Sequence, residues 1–125
     1  MYCLDSSFLI DLLRGIPEAI TKYDSLKGHN VFTTSVSVFE LLSGIATTPK
    51  KAADLEELLS GLPIVPLGEK DAREAAAIHK ELFSKGTPIE ESDMMIAGIA
   101  RSQGFTVVTR DKDFKRVFGL RVLSY

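Results

Sequence analysis

Four acidic residues, Asp5, Glu40, Asp93 and Asp111, occupy positions from which side chains can do chemistry. Asp5 follows the short apolar run Tyr2-Cys3-Leu4, and Asp111 follows Phe105-Thr106-Val107-Val108-Thr109-Arg110. In a parallel α/β sheet both emerge at the carboxyl edge of their strands, where such folds place ligands. Glu40 lies in an amphipathic segment with the small residues Ser37 and Gly44 at i−3 and i+4, which leaves room for an ion or a substrate backbone. Asp93 sits in the first turn of Asp93-Met94-Met95-Ile96-Ala97-Gly98, with Glu90 and Glu91 just before it. Each acid also has a plain structural use: Asp5 as a helix cap, Asp93 against a helix dipole, Asp111 in a turn, Glu40 on a solvated face. Together they predict something else. Carboxylates gathered at one sheet edge repel one another and stay ionised only if a cation joins them. Mg²⁺ and Mn²⁺ prefer oxygen ligands, so the expectation is a divalent-metal site.

The elements that must deliver these acids alternate in type. Tyr2–Leu4 reads as a strand, with Ser6 or Ser7 able to cap the helix that begins at Phe8 and stops at Gly15. Pro17 opens a second helix toward Leu26. Val31–Thr34 is a β-branched and aromatic strand. The helix after it carries Val38, Leu41, Leu42 and Ile45 as one apolar stripe. Further helices are expected over about Lys50 to Leu59, over Glu69 to Ser84 with Ala76, His79, Lys80 and Phe83 at helical spacing, and over Asp93 to Ser102 behind a Ser92 cap. Strands are expected over Pro63–Leu67, Phe105–Thr109 and Leu120–Leu123. Strands separated by helices predict an α/β fold, a mostly parallel central sheet covered on both faces, in one domain over residues 1–125.

The totals exclude several classes. With 45% hydrophobic and 26% charged residues, the 125-residue chain has an ordinary globular composition. Fifteen basic against seventeen acidic residues give a formal charge of −2, so whole-chain charge neither advertises nor excludes a nucleic-acid partner. Cys3 is the single cysteine and is expected to be a buried, inert thiol; His29 and His79 are far apart and give no zinc pattern. The absence of a basic leader and of a long apolar stretch favours the cytoplasm and no membrane span. Asp11 and Arg14 read as a surface pair at i, i+3, and Asp24, Asp54, Glu56, Glu57, Asp71 and Glu74 as solvated helix faces. No nucleophile elbow, phosphate-binding loop or dinucleotide fingerprint occurs.

Four segments in order carry a family resemblance: Leu4-Asp5-Ser6-Ser7-Phe8-Leu9-Ile10-Asp11, Phe39-Glu40-Leu41-Leu42-Ser43-Gly44, Ser92-Asp93-Met94-Met95-Ile96-Ala97, and Val107-Val108-Thr109-Arg110-Asp111-Lys112-Asp113-Phe114. This set resembles the PIN-domain signature in the variety found in VapC-type toxins of toxin–antitoxin pairs. The ending Arg116-Val117-Phe118-Gly119-Leu120-Arg121-Val122 resembles theirs too. The resemblance implies a PIN-like three-layer α/β/α domain and an endoribonuclease dependent on Mg²⁺ or Mn²⁺. Asp5, Glu40, Asp93 and Asp111 match the family's acidic quartet, with Asp113 as a fifth acid behind them and Thr109 orienting ligands. Glu90-Glu91 departs from the neutral residues common there and leaves the role of Glu90 open.

The implied chemistry is hydrolysis of an RNA phosphodiester with one or two metal ions and no covalent nucleophile. Asp5 and Asp93 are the expected direct ligands; Glu40 and Asp111 bind directly or through water. Lys112, Lys115, Arg116 and Arg121, with Arg110 beside them, are candidates for holding phosphates, and single-stranded or looped RNA is the expected target. The resemblance also implies a VapB-like antitoxin, with an arginine entering the acidic cluster, and a homodimer in which Phe39, Leu42 or Phe83 are candidate contacts. The alternatives are a PIN nuclease of RNA maturation, a metal-free PIN-like binding module, and a phosphoaspartyl receiver. The last wants adjacent acids after the first strand and a lysine where Arg110 stands.

Overall fold

The computed structural model describes residues 1–125. Five short strands, β1 (Tyr2–Leu4), β2 (Val31–Thr34), β3 (Ile64–Val65), β4 (Thr106–Val108) and β5 (Arg121–Leu123), form one sheet in the order β3-β2-β1-β4-β5. Every pairing is parallel, so the expected mostly parallel sheet is wholly parallel. Chain order runs outward from β1 in both directions, first to β2 and β3, then to β4 and β5. The direction reverses between β1 and β4, the crevice in which open parallel sheets bind ligands. Asp5 leaves one wall of that crevice, and Thr109 and Asp111 leave the other.

Six helices complete the layers: α1 (Ser6–Leu13), α2 (Pro17–Ser25), α3 (Ser35–Gly44), α4 (Pro49–Ser60), α5 (Glu69–Ser84) and α6 (Glu91–Gln103), with a 3₁₀ turn at Lys112–Arg116. Successive strand residues point to opposite faces and divide the core in two. Cys3 and Val107 pack with Ile78, Leu82, Ile96 and Ile99 of α5 and α6. Leu4 and Val108 pack with Phe8, Leu9, Leu41 and Leu55 of α1, α3 and α4. Cys3 is fully buried, and burial pushes its thiol far above the usual range, as expected of an inert cysteine.

Several local expectations shift. The cap of α1 is Asp5 itself, which accepts from the Phe8 N–H at 2.9 Å, so Ser6 and Ser7 are helical and are not the cap. Thr34 caps α3 by accepting from the Ser37 N–H, and Ser35 is not the cap. Ser35 instead accepts from the Leu67 N–H at 3.2 Å and ties down the chain after β3. Ser92 does not cap α6, whose N-cap is Glu90. In α3, Leu41 is buried while Leu42 is exposed, so the apolar stripe is narrower than its spacing implies. In α5 the buried face is Asp71, Ala75, Ile78 and Leu82, whereas Ala76, His79, Lys80 and Phe83 face solvent. The spacing was right, but the Ala-rich stretch Ala75-Ala76-Ala77 lets the stripe be drawn on either face.

Three charged residues read as surface groups are structural. Asp71 is buried and accepts from the Gly68 N–H at 2.9 Å, from Gln103 Nε2 at 3.1 Å and from the Ser102 hydroxyl, pinning the start of α5 to the end of α6. Burial alone would raise its pKa, but the hydrogen bonds from Ser102, Gly68 and Gln103 outweigh that and hold it below the usual range. Glu74 pairs with Arg101 at 2.7 Å. Asp11 is buried and bonds to Arg110 and Tyr125, not to Arg14.

Gly98 allows the close approach of α5 and α6. A Cβ there would stand 2.7 Å from the Asp71 carbonyl oxygen and 2.8 Å from both the Cβ and the nitrogen of Ala75. Two of those three atoms are backbone and cannot rotate away. Gly98→Ala is therefore expected to destabilise the chain by about 1–3 kcal/mol, read from chemical denaturation. A variant as stable as the parent would show that the two helices are not held at this separation.

Candidate metal centre

The acids arrive at the sheet edge from four different elements. Asp5 is the residue between β1 and α1 and is 3% exposed. Its carboxylate accepts four hydrogen bonds: from the Phe8 N–H at 2.9 Å, from the Ser7 hydroxyl at 2.9 and 3.0 Å, and from the Thr109 hydroxyl at 2.5 Å. Thr109, fully buried at the end of β4, also accepts from the Asp111 N–H at 2.9 Å. Thr109 thus joins the two walls of the crevice and orients Asp5. Asp111 in turn caps the 3₁₀ turn by accepting from the Asp113 N–H at 2.9 Å.

Glu40 comes from the middle of α3 and is held through both oxygens. The Ser6 hydroxyl of α1 donates at 2.8 Å and the Ser92 hydroxyl of α6 at 2.9 Å. These two serines, read from sequence only as caps, fix Glu40 across three helices. Their partners lie 34 and 52 residues away, so no local spacing could reveal the arrangement. Asp93 follows Ser92 in the first turn of α6, half-buried.

Asp93, Asp111 and Asp113 converge most closely, each with a carboxylate oxygen within 4.8 Å of the others. Asp5 and Glu40 do not join that trio at the same spacing, whereas Asp113, expected as a fifth acid behind the quartet, does. The field of all five is nevertheless shared. Burial, then the charges of Asp111, Glu40, Asp5 and Asp113, push the Asp93 carboxyl up to about 7. Burial likewise pushes Asp5 up to about 6, against the opposing hydrogen bonds from Thr109, Phe8 and Ser7. An all-oxygen donor set of acids that disfavour one another's ionisation fits a hard divalent cation.

The remaining candidates separate. Glu90 is exposed at the α6 N-cap with no side-chain cap bond. Arg116 donates to the Pro88 carbonyl at 3.1 Å and pairs with Asp113 at 3.3 Å. Arg110 is held by Asp11 at 2.8 Å. Lys112, Lys115 and Arg121 are exposed and in no ion pair. No helix is long and apolar enough to cross a membrane.

The PIN-domain family model matches residues 2–120. The chain is 30% identical over 125 residues to the tRNA(fMet)-specific endonuclease VapC of Salmonella typhimurium, covering 97% of this chain and 95% of that one. It superposes with a TM-score of 0.87 on a chain from the structure of DNA-bound VapBC from Salmonella typhimurium, at 30% identity, covering 98% of this chain and 96% of the other. For VapBC2 from Rickettsia felis bound to a promoter DNA fragment, the TM-score is 0.89 at 25% identity, covering 99% and 98%. With this sheet order, an acidic crevice at its switch point and similarity along nearly its whole length, the chain belongs to the PIN-domain family and, within it, to the VapC ribonucleases.

Proposed function

We propose that this VapC ribonuclease hydrolyses RNA phosphodiesters with Mg²⁺ or Mn²⁺ held by Asp93, Asp111 and Asp113, as the toxin of a toxin–antitoxin pair. The observation that carries this reading is the convergence of those three carboxylates at the β1/β4 crevice, with the Arg116–Asp113 contact as their single ion pair. A divalent ion bound there supplies Lewis acidity, activating water and offsetting charge on phosphorus. Asp5, locked by Thr109, Ser7 and the Phe8 N–H, presents a fixed carboxylate to the ion's water or to the ion itself. Glu40, held by Ser6 and Ser92, would orient the attacking water, a role that its fixed carboxylate supports. The unpaired Lys112 and Lys115 flank Asp113 on the 3₁₀ turn and suit backbone phosphates, which set position and not sequence. Arg110 and Arg116 would first have to give up their present partners.

The Salmonella relative is named for a tRNA substrate. A tRNA loop, which offers single-stranded RNA to a shallow site, is the substrate we propose here. Solved relatives include toxin–antitoxin complexes, which supports a VapB-like partner for this chain. A groove of about 370 Å³ lined by Ile10, Leu13, Arg14 and Ile45 lies one turn beyond Glu40 along α3 and suits an amphipathic segment of that partner. We also propose a homodimer, supported by the exposure of Phe39 and Leu42 on α3 and of Phe83 on α5.

Asp93→Asn is expected to lower RNA cleavage by more than the about 100-fold typical of groups behind a metal ligand, while the fold survives. The assay is cleavage of tRNA and of unstructured RNA with Mg²⁺, Mn²⁺ or EDTA. Undiminished cleavage by the variant would refute the site. Inhibition by the product of an adjacent small gene would favour a toxin over an RNA-maturation enzyme.

The two raised carboxyls make stability depend on pH in a definite direction. The folded, metal-free chain binds protons at Asp5 and Asp93 more tightly than the unfolded chain, so stability falls as pH rises from 3.8 through about 7. The urea midpoint in EDTA is expected to be lower at about pH 8 than at about pH 5, and Mn²⁺ is expected to restore it at the higher pH. A midpoint that rises over this interval, or ignores Mn²⁺, would contradict the site. Phe39→Asp is expected to convert a dimer to a monomer in sedimentation; a parent chain already monomeric at high concentration would remove the dimer proposal.

A further inference from the structure

Asp11 is a buried carboxylate that the proposed chemistry does not use. It lies on α1, is 6% exposed, and its Oδ2 accepts from the Tyr125 hydroxyl at 2.6 Å and forms an ion pair with Arg110 Nε at 2.8 Å. Arg110 is the single residue between Thr109 and Asp111. Tyr125 packs edge-on against Phe8, ring centroids 4.9 Å apart, and the Phe8 N–H is the group that Asp5 caps. Burial and Asp11 together keep the Tyr125 phenol protonated, well above its usual range, so it remains a donor.

The exit from β4 is therefore tied to α1 at two points. One is the Thr109–Asp5 bond at the start of the helix, the other the Arg110–Asp11 pair six residues further on. At ~1.5 Å per residue these ties lie about 9 Å apart along the axis. A single tie sets a distance; two separated ties also set the direction in which the chain leaves β4, and with it where the Asp111 carboxylate points. We infer that Asp11, Arg110 and Tyr125 form a positioning clamp that aligns Asp111 with Asp93 and Asp113 for metal binding. In this role Arg110 is a brace and not a phosphate ligand, because Asp11 competes for its guanidinium. The inference rests on the proposed metal site and adds to it three residues that touch neither metal nor RNA.

The test is Mn²⁺ titration, followed by calorimetry, of the full chain and of Asp11→Asn, Arg110→Met, their double variant and Tyr125→Phe, with denaturation midpoints measured alongside. The clamp predicts that Asp11→Asn and Arg110→Met each weaken Mn²⁺ binding by about 10-fold, the lower figure for groups that support metal ligands, with a smaller loss in Tyr125→Phe. The double variant should be no worse than either single one, because both remove the same tie. If Arg110→Met fails to fold, Arg110→Lys, which keeps the charge but loses the Nε geometry, takes its place with the same expectation. Lower midpoints with unchanged Mn²⁺ affinity would reduce the cluster to ordinary structure and overturn the inference. So would additive losses, or a raised KM for RNA confined to the Arg110 variant. A parent chain that binds no Mn²⁺ would defeat the metal reading and the clamp together, whereas normal binding in parent and variants alike would defeat the clamp alone.

Discussion

Mutual repulsion of carboxylates at the mouth of a parallel sheet is the constraint around which this molecule is built. Left to solvent, five acids would spread apart; here three of them are fastened from behind. Asp5 is held by two hydroxyls and a backbone N–H, Glu40 by Ser6 and Ser92, and Asp111 by the Asp113 N–H it accepts. Each bond favours the ionised carboxylate and offsets part of the cost of holding it near its neighbours. Asp93 has no such support and takes the largest upward shift of the group. The site is therefore under electrostatic load, which the proposed divalent cation would relieve.

Holding that load requires a scaffold that does not yield. Away from the crevice, α5 and α6 pack at a distance only Gly98 permits, and Asp71 joins the start of one helix to the end of the other. Arg101, mostly buried, adds bonds to Glu74, Glu81 and the Phe118 carbonyl, connecting α6 to α5 and to the chain entering β5. The two faces of the sheet have separate cores, so α6 delivers Asp93 from one layer while α1 and α3 deliver Asp5 and Glu40 from the other. The site is a meeting of layers, and the Ser92 hydroxyl of α6, donating to Glu40 of α3, is the contact between them.

Charge also shapes how a polyanion approaches. With a net charge of −2 and an acidic mouth, attraction must come from local cations. The 3₁₀ turn after β4 places Lys112 and Lys115 on either side of Asp113, so basic and acidic side chains share the same five residues. Arg110, two residues before that turn, and Arg116, its last residue, are engaged in bracing the structure.

The sequence by itself determined the alternation of strands and helices, the parallel sheet and the emergence of Asp5 and Asp111 at its carboxyl edge. Those features follow from short-range patterning: apolar runs, caps, and glycines such as Gly104, which stops α6 in a left-handed conformation. The family signature was legible for the same reason, as blocks of consecutive residues. Only the tertiary structure decided which acids converge, because carboxylate separation depends on how α6 and the 3₁₀ turn dock on the sheet. It brought Asp113 close to Asp93 and Asp111, gave Asp5 the capping role that seemed covered by Ser6 and Ser7, and buried Asp11 against residues 99 and 114 positions later in the chain. Partners that distant leave no trace in local periodicity, so a buried, braced carboxylate and a solvated one look alike until the chain is folded.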